Sequence, residues 1–464
     1  MENSEDGRGS IMRVLFLGVL VTALDIAILG PALRSIGVSF AVDERTVAWV
    51  FIIYTLFTQL GVPFMSRLSD QFGRRFAFCW SMDIFILGLV VVVVSEQFTG
   101  VLAGRALQGI GASGVLPVAS AVIGDLYPPE KRGRMLGLIG AVFGISFIFG
   151  PAIGGILIQY GWQWLFLITL PPAIIVWIWA LLKLPRAKPA DAAGLDLAGI
   201  LSLGTALALI TLGINKIDSN AFGASLLSMS VWPYLLASLA CFGFFVFIER
   251  RVEAPFVRLG LFSSRQVNIA CFISVGAGMS EAIFVFLPSF AVVAFGVGDR
   301  EASFMLLPLV FALAIGSPLW GRLLDKAGTR IVVIAGTFMV VAGTFILATL
   351  MPNVNLYYAG TALIGFGLAA ILGSAISYIL LEEAKKTERT VAQGIVRLFK
   401  GFGRLLGGSM IGAIVASSAD STGGYTTAFL IIAVLATVFH LFSYGLRAKS
   451  DSLQLDTQQP AVES

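Results

Sequence analysis

A chain of 464 residues that is 57% hydrophobic and only 12% charged, with a mean hydropathy of +0.91, lies far from the soluble-domain mix of about one quarter charged residues and excludes a water-soluble enzyme. The formal charge of +4 is a small difference between 31 basic and 27 acidic residues and gives no reason to expect nucleic acid as a partner. Three cysteines (Cys79, Cys241, Cys271) lie inside apolar runs and His440 is the only histidine, so neither a disulfide framework nor a Cys/His metal centre can be assembled, and no metal or cofactor is expected.

The polar N-terminus MENSEDGRGS is followed by an apolar run without a small-residue cleavage pattern, which reads as a retained helix rather than a signal peptide. Stretches of about 18 apolar residues or more can cross a bilayer. They fall at about 12–33, 46–65, 76–95, 100–124, 136–158 and 164–183. The polar segment KLPRAKPADAAGLD separates these six from a pair at about 197–214 and 231–249, and six more follow at about 266–294, 301–321, 331–351, 356–381, 390–417 and 426–446. The expected fold is all-α and integral to the membrane, with fourteen transmembrane helices: a six-helix bundle over 1–183, an inserted two-helix hairpin with linkers over 184–264, a second six-helix bundle over 265–450, and a disordered cytoplasmic tail over 451–464.

Basic residues are retained on the cytoplasmic side of a membrane. With both termini cytoplasmic, 23 of the 31 Lys and Arg fall in inner connections and only Arg34, Arg45, Lys216 and Arg300 in outer ones. Removing any one span would flip every later loop and scatter this bias, so the charges favour each span in turn. The remaining four, Arg105, Arg397, Lys400 and Arg404, fall within predicted spans. The expected location is the cell inner (plasma) membrane.

Along the chain, the first residue that carries chemistry is Asp25, near the middle of its span, where an ionised carboxylate costs roughly 2.5–3.5 kcal/mol on insertion scales and should face protein or water. Moving it between a dry site and the neighbourhood of a cation would load and unload a proton, and Arg105 of the fourth span is the cation proposed; a static ion pair is the plainer alternative. Next, SRLSDQFGRR at 66–75 recurs as GRLLDKAGTR at 321–330, 255 residues later, so the two six-helix units read as copies with a binding site expected near the midplane between them. In this loop a small residue (Ser66, Gly321) permits close helix approach, a Gly (Gly73, Gly328) turns the chain, and an acid (Asp70, Asp325) with Arg74 and Arg75 supplies charge pairs that can form and break. It reads as a conformational latch, or more plainly as a basic inner loop that sets topology.

Glu281, mid-span in GAGMSEAIFVFLP, is the second protonatable group on burial grounds alone. Arg397, Lys400 and Arg404 share one face of the thirteenth span and either line a cavity as a cationic wall for an anionic group or snorkel to headgroups. Asp83 reads as interfacial, Trp162 and Trp164 as interfacial anchors, and His440 as a packed residue.

These segments resemble the major facilitator superfamily, and within it the fourteen-helix drug:proton antiporter branch, over nearly the whole chain. Residues 66–75 resemble the family's loop between helices 2 and 3, with Ser66 where Gly is usual and Gln71 where a basic residue is usual. TALDIAILGPAL, with Asp25, resembles the first-helix motif of that branch. RALQGIGASG, with Arg105, Gln108 and Gly109, resembles the fourth-helix motif. GISFIFGPAIGG, with Gly150, Pro151, Gly154 and Gly155, resembles the antiporter motif of helix 5, and Arg404 resembles a basic position of the family's helix 11. The resemblance implies that Asp125 pairs with Arg74, that Asp70 meets the start of helix 11, and that Gln108 with Arg397, Lys400 and Arg404 borders a substrate cavity. It implies a monomeric carrier, not an enzyme, whose partners are protons, membrane lipids and a small molecule exported against proton entry. An uptake symporter for an organic anion and a non-transporting receptor or lipid-handling scaffold are the rivals.

Overall fold

The computed structural model describes residues 5–127, 129–185, 196–218, 220–252, 257, 259–350, 353–383 and 389–447, so the predicted tail at 451–464 lies outside the described residues. No strand occurs among them. The principal helices are α1 (Glu5–Ala27), α2 (Trp49–Phe72), α3 (Arg74–Val94), α4 (Phe98–Leu126), α5 (Pro129–Leu157), α6 (Leu170–Lys183), α7 (Leu197–Asn215), α8 (Trp232–Glu249), α9 (Arg265–Phe295), α10 (Leu307–Ala327), α11 (Thr329–Thr349), α12 (Val354–Ala370), α13 (Arg389–Ser417) and α14 (Ser421–Ser443).

Twelve helices among the described residues are long and apolar enough to cross a membrane, two short of the fourteen expected from sequence. The shortfall lies at α5 and α12, whose apolar stretches Ile145–Tyr160 and Val354–Ala370 each fall within 10–17 residues. At α12 the regular spiral gives way to a π turn at Ile371–Ala375 before it resumes as Ile376–Glu383.

The chain forms two compact units. One comprises Met1–Phe256 with Phe284–Leu307 and Gly408–Gly424; the other comprises Val257–Ile283, Pro308–Gly407 and Tyr425–Ser464. The division therefore passes through α9 between Ile283 and Phe284 and through α13 between Gly407 and Gly408.

In the first unit α1 breaks at Ile28 and continues as Leu29–Phe40. Pro31 explains the break: without an amide hydrogen it cannot bond the carbonyl of Ala27 four residues earlier, and its ring crowds that carbonyl. Gly150 of α5 occupies the space beside this turn, since a Cβ there would come within 2.9 Å of the Ala27 carbonyl carbon, and one on Gly154 within 2.8 Å of the Pro31 ring. The antiporter-like glycines are thus where α5 lies closest to the interrupted first helix.

The inserted pair also belongs to this unit. Ser238 of α8 donates to the Ala206 carbonyl of α7 at 2.7 Å, and Gly204 of α7 accommodates Leu60 of α2. The face of α8 turned from α7 leaves Leu236, Leu239, Phe242, Phe244 and Phe247 exposed, a surface suited to lipid chains and unsuited to water.

The repeated loops share a backbone shape as well as a sequence. Gly73 has φ 93° and ψ 157°, and Gly328 has φ 81° and ψ 171°, a region essentially closed to residues with a Cβ. Each glycine ends one spanning helix and starts the next, at the same place in its repeat. Either Gly73→Ala or Gly328→Ala is expected to destabilise its unit by about 1–3 kcal/mol, read as a lower melting temperature in detergent; Gly124→Ala, whose new Cβ would meet nothing within 4 Å, is the unaffected control.

Candidate functional site

Arg105 and Gln108 are three residues apart on α4 and so project from one face toward α1. Arg105 Nη1 donates to Asp25 Oδ2 at 2.7 Å and to Gln108 Oε1 at 3.0 Å, and Gln108 Nε2 donates to Asp25 Oδ1 at 2.9 Å. The three side chains close a ring in which both carboxylate oxygens are satisfied. Arg105 Nε also donates to the Val50 carbonyl of α2 at 3.2 Å, and its guanidinium lies 4.2 Å from the Tyr54 ring centroid and 5.6 Å from that of Phe166. Only Arg105 Nη2 has no partner. Asp25, Arg105 and Gln108 are all 0% exposed. This conformation therefore seals Asp25 from solvent, so that of the two surroundings expected for it the carboxylate faces protein and not water.

The sequence permits this approach because α3 and α4 cross glycine on glycine. A Cβ on Gly88 would sit 2.6 Å from the Gln108 amide nitrogen and 2.7 Å from the Gly104 carbonyl oxygen, while one on Gly104 would sit 2.9 Å from the Gly88 carbonyl oxygen. This close crossing sets the position of the helix that carries Arg105 and Gln108.

The second unit holds a looser counterpart. Glu281 of α9 stands 256 residues after Asp25, within one residue of the 255 that separates the repeated loops, so the two carboxylates occupy matching places in the first helix of each repeat. Their cations do not match: Asp25 meets α4, whereas Glu281 meets α13. Glu281 Oε1 lies 3.5 Å from Arg404 Nη1, with the side chains 13% and 20% exposed, and Glu281 Oε2 and Arg404 Nε have no partner. Gly278 fits against the Lys400 carbonyl and Gly403 against that of Val275, which holds α9 and α13 close here. Of the predicted cationic face, Arg404 meets Glu281, Lys400 is half-buried and close enough to Glu281 for coulombic interaction, and Arg397 is exposed.

At the first repeated loop, Arg74 Nε lies 3.2 Å from Asp125 Oδ2, and Arg74 Nη1 donates to Ser69 Oγ at 3.0 Å. With Asp125 mostly exposed, this pair contributes at most about 1 kcal/mol. Ser66 and Arg75 are half-buried nearby and Gly73 is buried; in the second loop Gly321 and Gly328 are half-buried. The side chains of Asp70 and Asp325 lie outside the described residues. Pro151 and Gly155 are buried, with Gly155 facing Ser303 and Phe304.

Some contacts had no sequence signal. Tyr54 and Val50 look like ordinary members of an apolar run, yet both engage Arg105. Arg34 pairs with Asp299 at 3.3 Å, and Arg45 Nη2 donates to the Ile217 carbonyl at 3.3 Å and the Ala413 carbonyl at 3.5 Å, tying the end of the inserted pair to the 408–424 segment. Trp49 Nε1 adds a bond to Asn215 Oδ1 at 3.1 Å. Trp164 is half exposed, as an anchor should be, but Trp162 is buried against Phe40 and Phe166 and packs rather than anchors. His440 is buried, with Nδ1 2.8 Å from Thr337 Oγ1 and Nε2 3.4 Å from the Tyr444 hydroxyl.

A family model described as the Major Facilitator Superfamily matches residues 15–274 and 269–462. The chain belongs to the major facilitator superfamily. It is a transporter and not an enzyme. Among its relatives in this superfamily, the Uncharacterized MFS-type transporter YfiU of Bacillus subtilis (strain 168) is 30% identical over 413 residues, covering 88% of this chain and 80% of that one. The Multidrug transporter protein MdtP of the same organism is 28% identical over 429 residues, covering 89% and 77%. Among solved structures, a bacterial homolog of the human lysosomal transporter Spinster, inward-facing and occupied, superposes with TM-score 0.67 at 16% identity over 99% of this chain and 100% of that chain, a likeness of fold. The D-xylose-proton symporter gives TM-score 0.67 at 14% identity over 96% and 98%.

Proposed function

We propose that this superfamily member is a proton-driven exporter of amphiphilic small molecules, working by alternating access as a monomer in the cell inner membrane with both termini cytoplasmic. The observation that carries the reading is the Asp25–Arg105–Gln108 ring at 0% exposure. A buried carboxylate held by a guanidinium is expensive to build into a membrane bundle, and it is retained where its charge is changed in use. Multidrug transporter names among the relatives support export of amphiphiles. The Glu281–Arg404 pair, whose side chains are 13% and 20% exposed, would exchange its proton in the present conformation, and Asp25 in the alternate one.

The reading extends to fourteen spans. Helix α5 covers 29 residues, and α12 runs on through its π turn to Glu383, so both can cross a bilayer although their apolar stretches are short. Two six-helix bundles with an inserted hairpin place 23 basic residues on one face, as the drug:proton antiporter branch would require. The repeated loops, Arg74 with Asp125 in particular, act as the latch, a role that a weak exposed pair suits because it must open in every cycle. The antiporter-like glycines on α5 hold α1 at its break, and the α13 cations border the cargo path; Gln108, expected there from sequence, is instead taken up in the sealed ring.

Proteoliposomes with an imposed pH gradient and ethidium as the probe test the reading. Ethidium is expected to move against the proton flow and to stop when the gradient is collapsed. Ethidium movement in the same direction as protons would overturn the exporter reading, and proton-coupled uptake of an organic anion such as octanoate would favour the organic-anion symporter, which the α13 cations also suit.

A further inference from the structure

The two ion pairs differ in a way that bears on cargo. In the first unit the ring is closed, with both Asp25 oxygens bonded and no solvent contact. In the second, one long contact of 3.5 Å joins Glu281 to Arg404, compared with about 2.7–2.9 Å for a good charge-assisted bond. One carboxylate oxygen and one guanidinium nitrogen of the pair have no partner, although both atoms are buried from water. An open acceptor and an open donor, side by side on charged groups, lose the desolvation penalty of each only when something supplies the complementary groups.

We propose that the Glu281–Arg404 pair binds the polar head of the transported amphiphile, and that it selects heads carrying both an acidic group and a protonated amine. This rests on the transport reading above and adds the substrate class to it. An acidic group fits Arg404 Nε, and an ammonium N–H fits Glu281 Oε2, so a zwitterionic head satisfies both without breaking the existing contact. A simple cation satisfies only Glu281 and meets the positive charges of Arg404, Lys400 and Arg397 along the same helix face. A simple anion satisfies Arg404 but sets a second carboxylate beside Glu281. The charged groups of α13 facing Glu281 are Arg404 and Lys400, with Arg397 beyond them, and the extra positive charge holds the acidic end of the head. When Glu281 takes a proton the ammonium loses its counter-charge, so proton and head compete for one carboxylate, which is the relation exchange requires. Glu281 and Arg404 both belong to the second unit, so the site lies within it.

The test is calorimetric binding to the full chain in lipid nanodiscs of three amphiphiles with the same tail: N-octylglycine, octylamine and octanoate. N-octylglycine is expected to bind about tenfold more tightly than either of the others, the yield of one added charge-assisted bond. Glu281→Gln should reduce its affinity to that of octanoate, and Arg404→Gln to that of octylamine. Equal binding of the three by the wild-type protein overturns the proposal, and so does a preference for N-octylglycine that survives both substitutions. The wild-type ranking decides the matter even if a variant fails to fold. Proton-driven ethidium movement in the wild-type protein reports separately on the transport reading, so a flat ranking with intact ethidium transport removes this site alone.

Discussion

Asp25→Asn is expected to abolish pH-gradient-driven transport and to destabilise the first unit by about 3–5 kcal/mol, because it leaves Arg105 as a buried charge without a counter-ion. Asparagine keeps the shape but has one acceptor oxygen, so it can accept from Arg105 or from Gln108 and not from both; the loss comes from charge and hydrogen bonding and not from packing. A second substitution separates stability from transport. In Asp25→Asn with Arg105→Gln the stranded cation is gone, and most of the lost stability should return, since a neutral hydrogen-bonded network of similar volume replaces an ion pair at little net cost. Transport should not return. The melting temperatures of these two variants, of Arg105→Gln alone and of the wild type form a double-mutant cycle, and recovery of stability and ethidium flux together in the double variant would reduce the ring to a structural element.

Gly88→Val should produce the second large effect. Its Cβ would lie 2.6 Å from the Gln108 amide nitrogen and 2.8 Å from Gln108 Cγ, and the valine methyl groups demand still more room. Both near atoms belong to the helix that carries Arg105, so α4 must shift as a body. Overpacking of this kind costs about 1–3 kcal/mol and sometimes more. The same shift pulls Gln108 Nε2 from its 2.9 Å bond to Asp25. The expected result is a lower melting temperature together with reduced proton-coupled flux, although residue 88 touches neither Asp25 nor Arg105. A Gly88→Val protein with native stability and flux would mean that the α3–α4 crossing is not what sets the ring.

The helices were legible in the sequence because bilayer thickness imposes a length and an apolar composition that few other structures need. The repeat was legible for a related reason: the glycine turn at 73 and 328 admits almost no other residue, so its chemistry had to recur. Asp25 and Arg105 could be singled out since charged groups are rare at that depth, whereas Gln108 was marked by resemblance alone and was expected at the substrate cavity rather than in the ring. Their sealing could not be read. It depends on Tyr54, Phe166 and the Val50 carbonyl, two apolar-run aromatics and a backbone atom, which carry no mark of their role. Trp162 misled for the opposite reason, since its residue type suggests a membrane interface while its neighbours Phe40 and Phe166 bury it. The partner of Glu281 was hidden as well: the repeat pairs α9 with α1, but Arg404 comes from a helix with no counterpart in the first ring, brought near by glycine contacts such as those at Gly278, Gly403 and Gly407.

The account turns on buried carboxylates that exchange a proton for cargo, and thermodynamic reciprocity gives its most direct test. If proton entry drives solute exit, a solute gradient alone must drive protons the opposite way. Proteoliposomes loaded with N-octylglycine or ethidium, with no initial pH difference and a pH-sensitive dye inside, should acidify internally as the solute leaves, and the signal should vanish in Asp25→Asn. Solute efflux without any internal pH change, or with alkalinisation, would contradict the account.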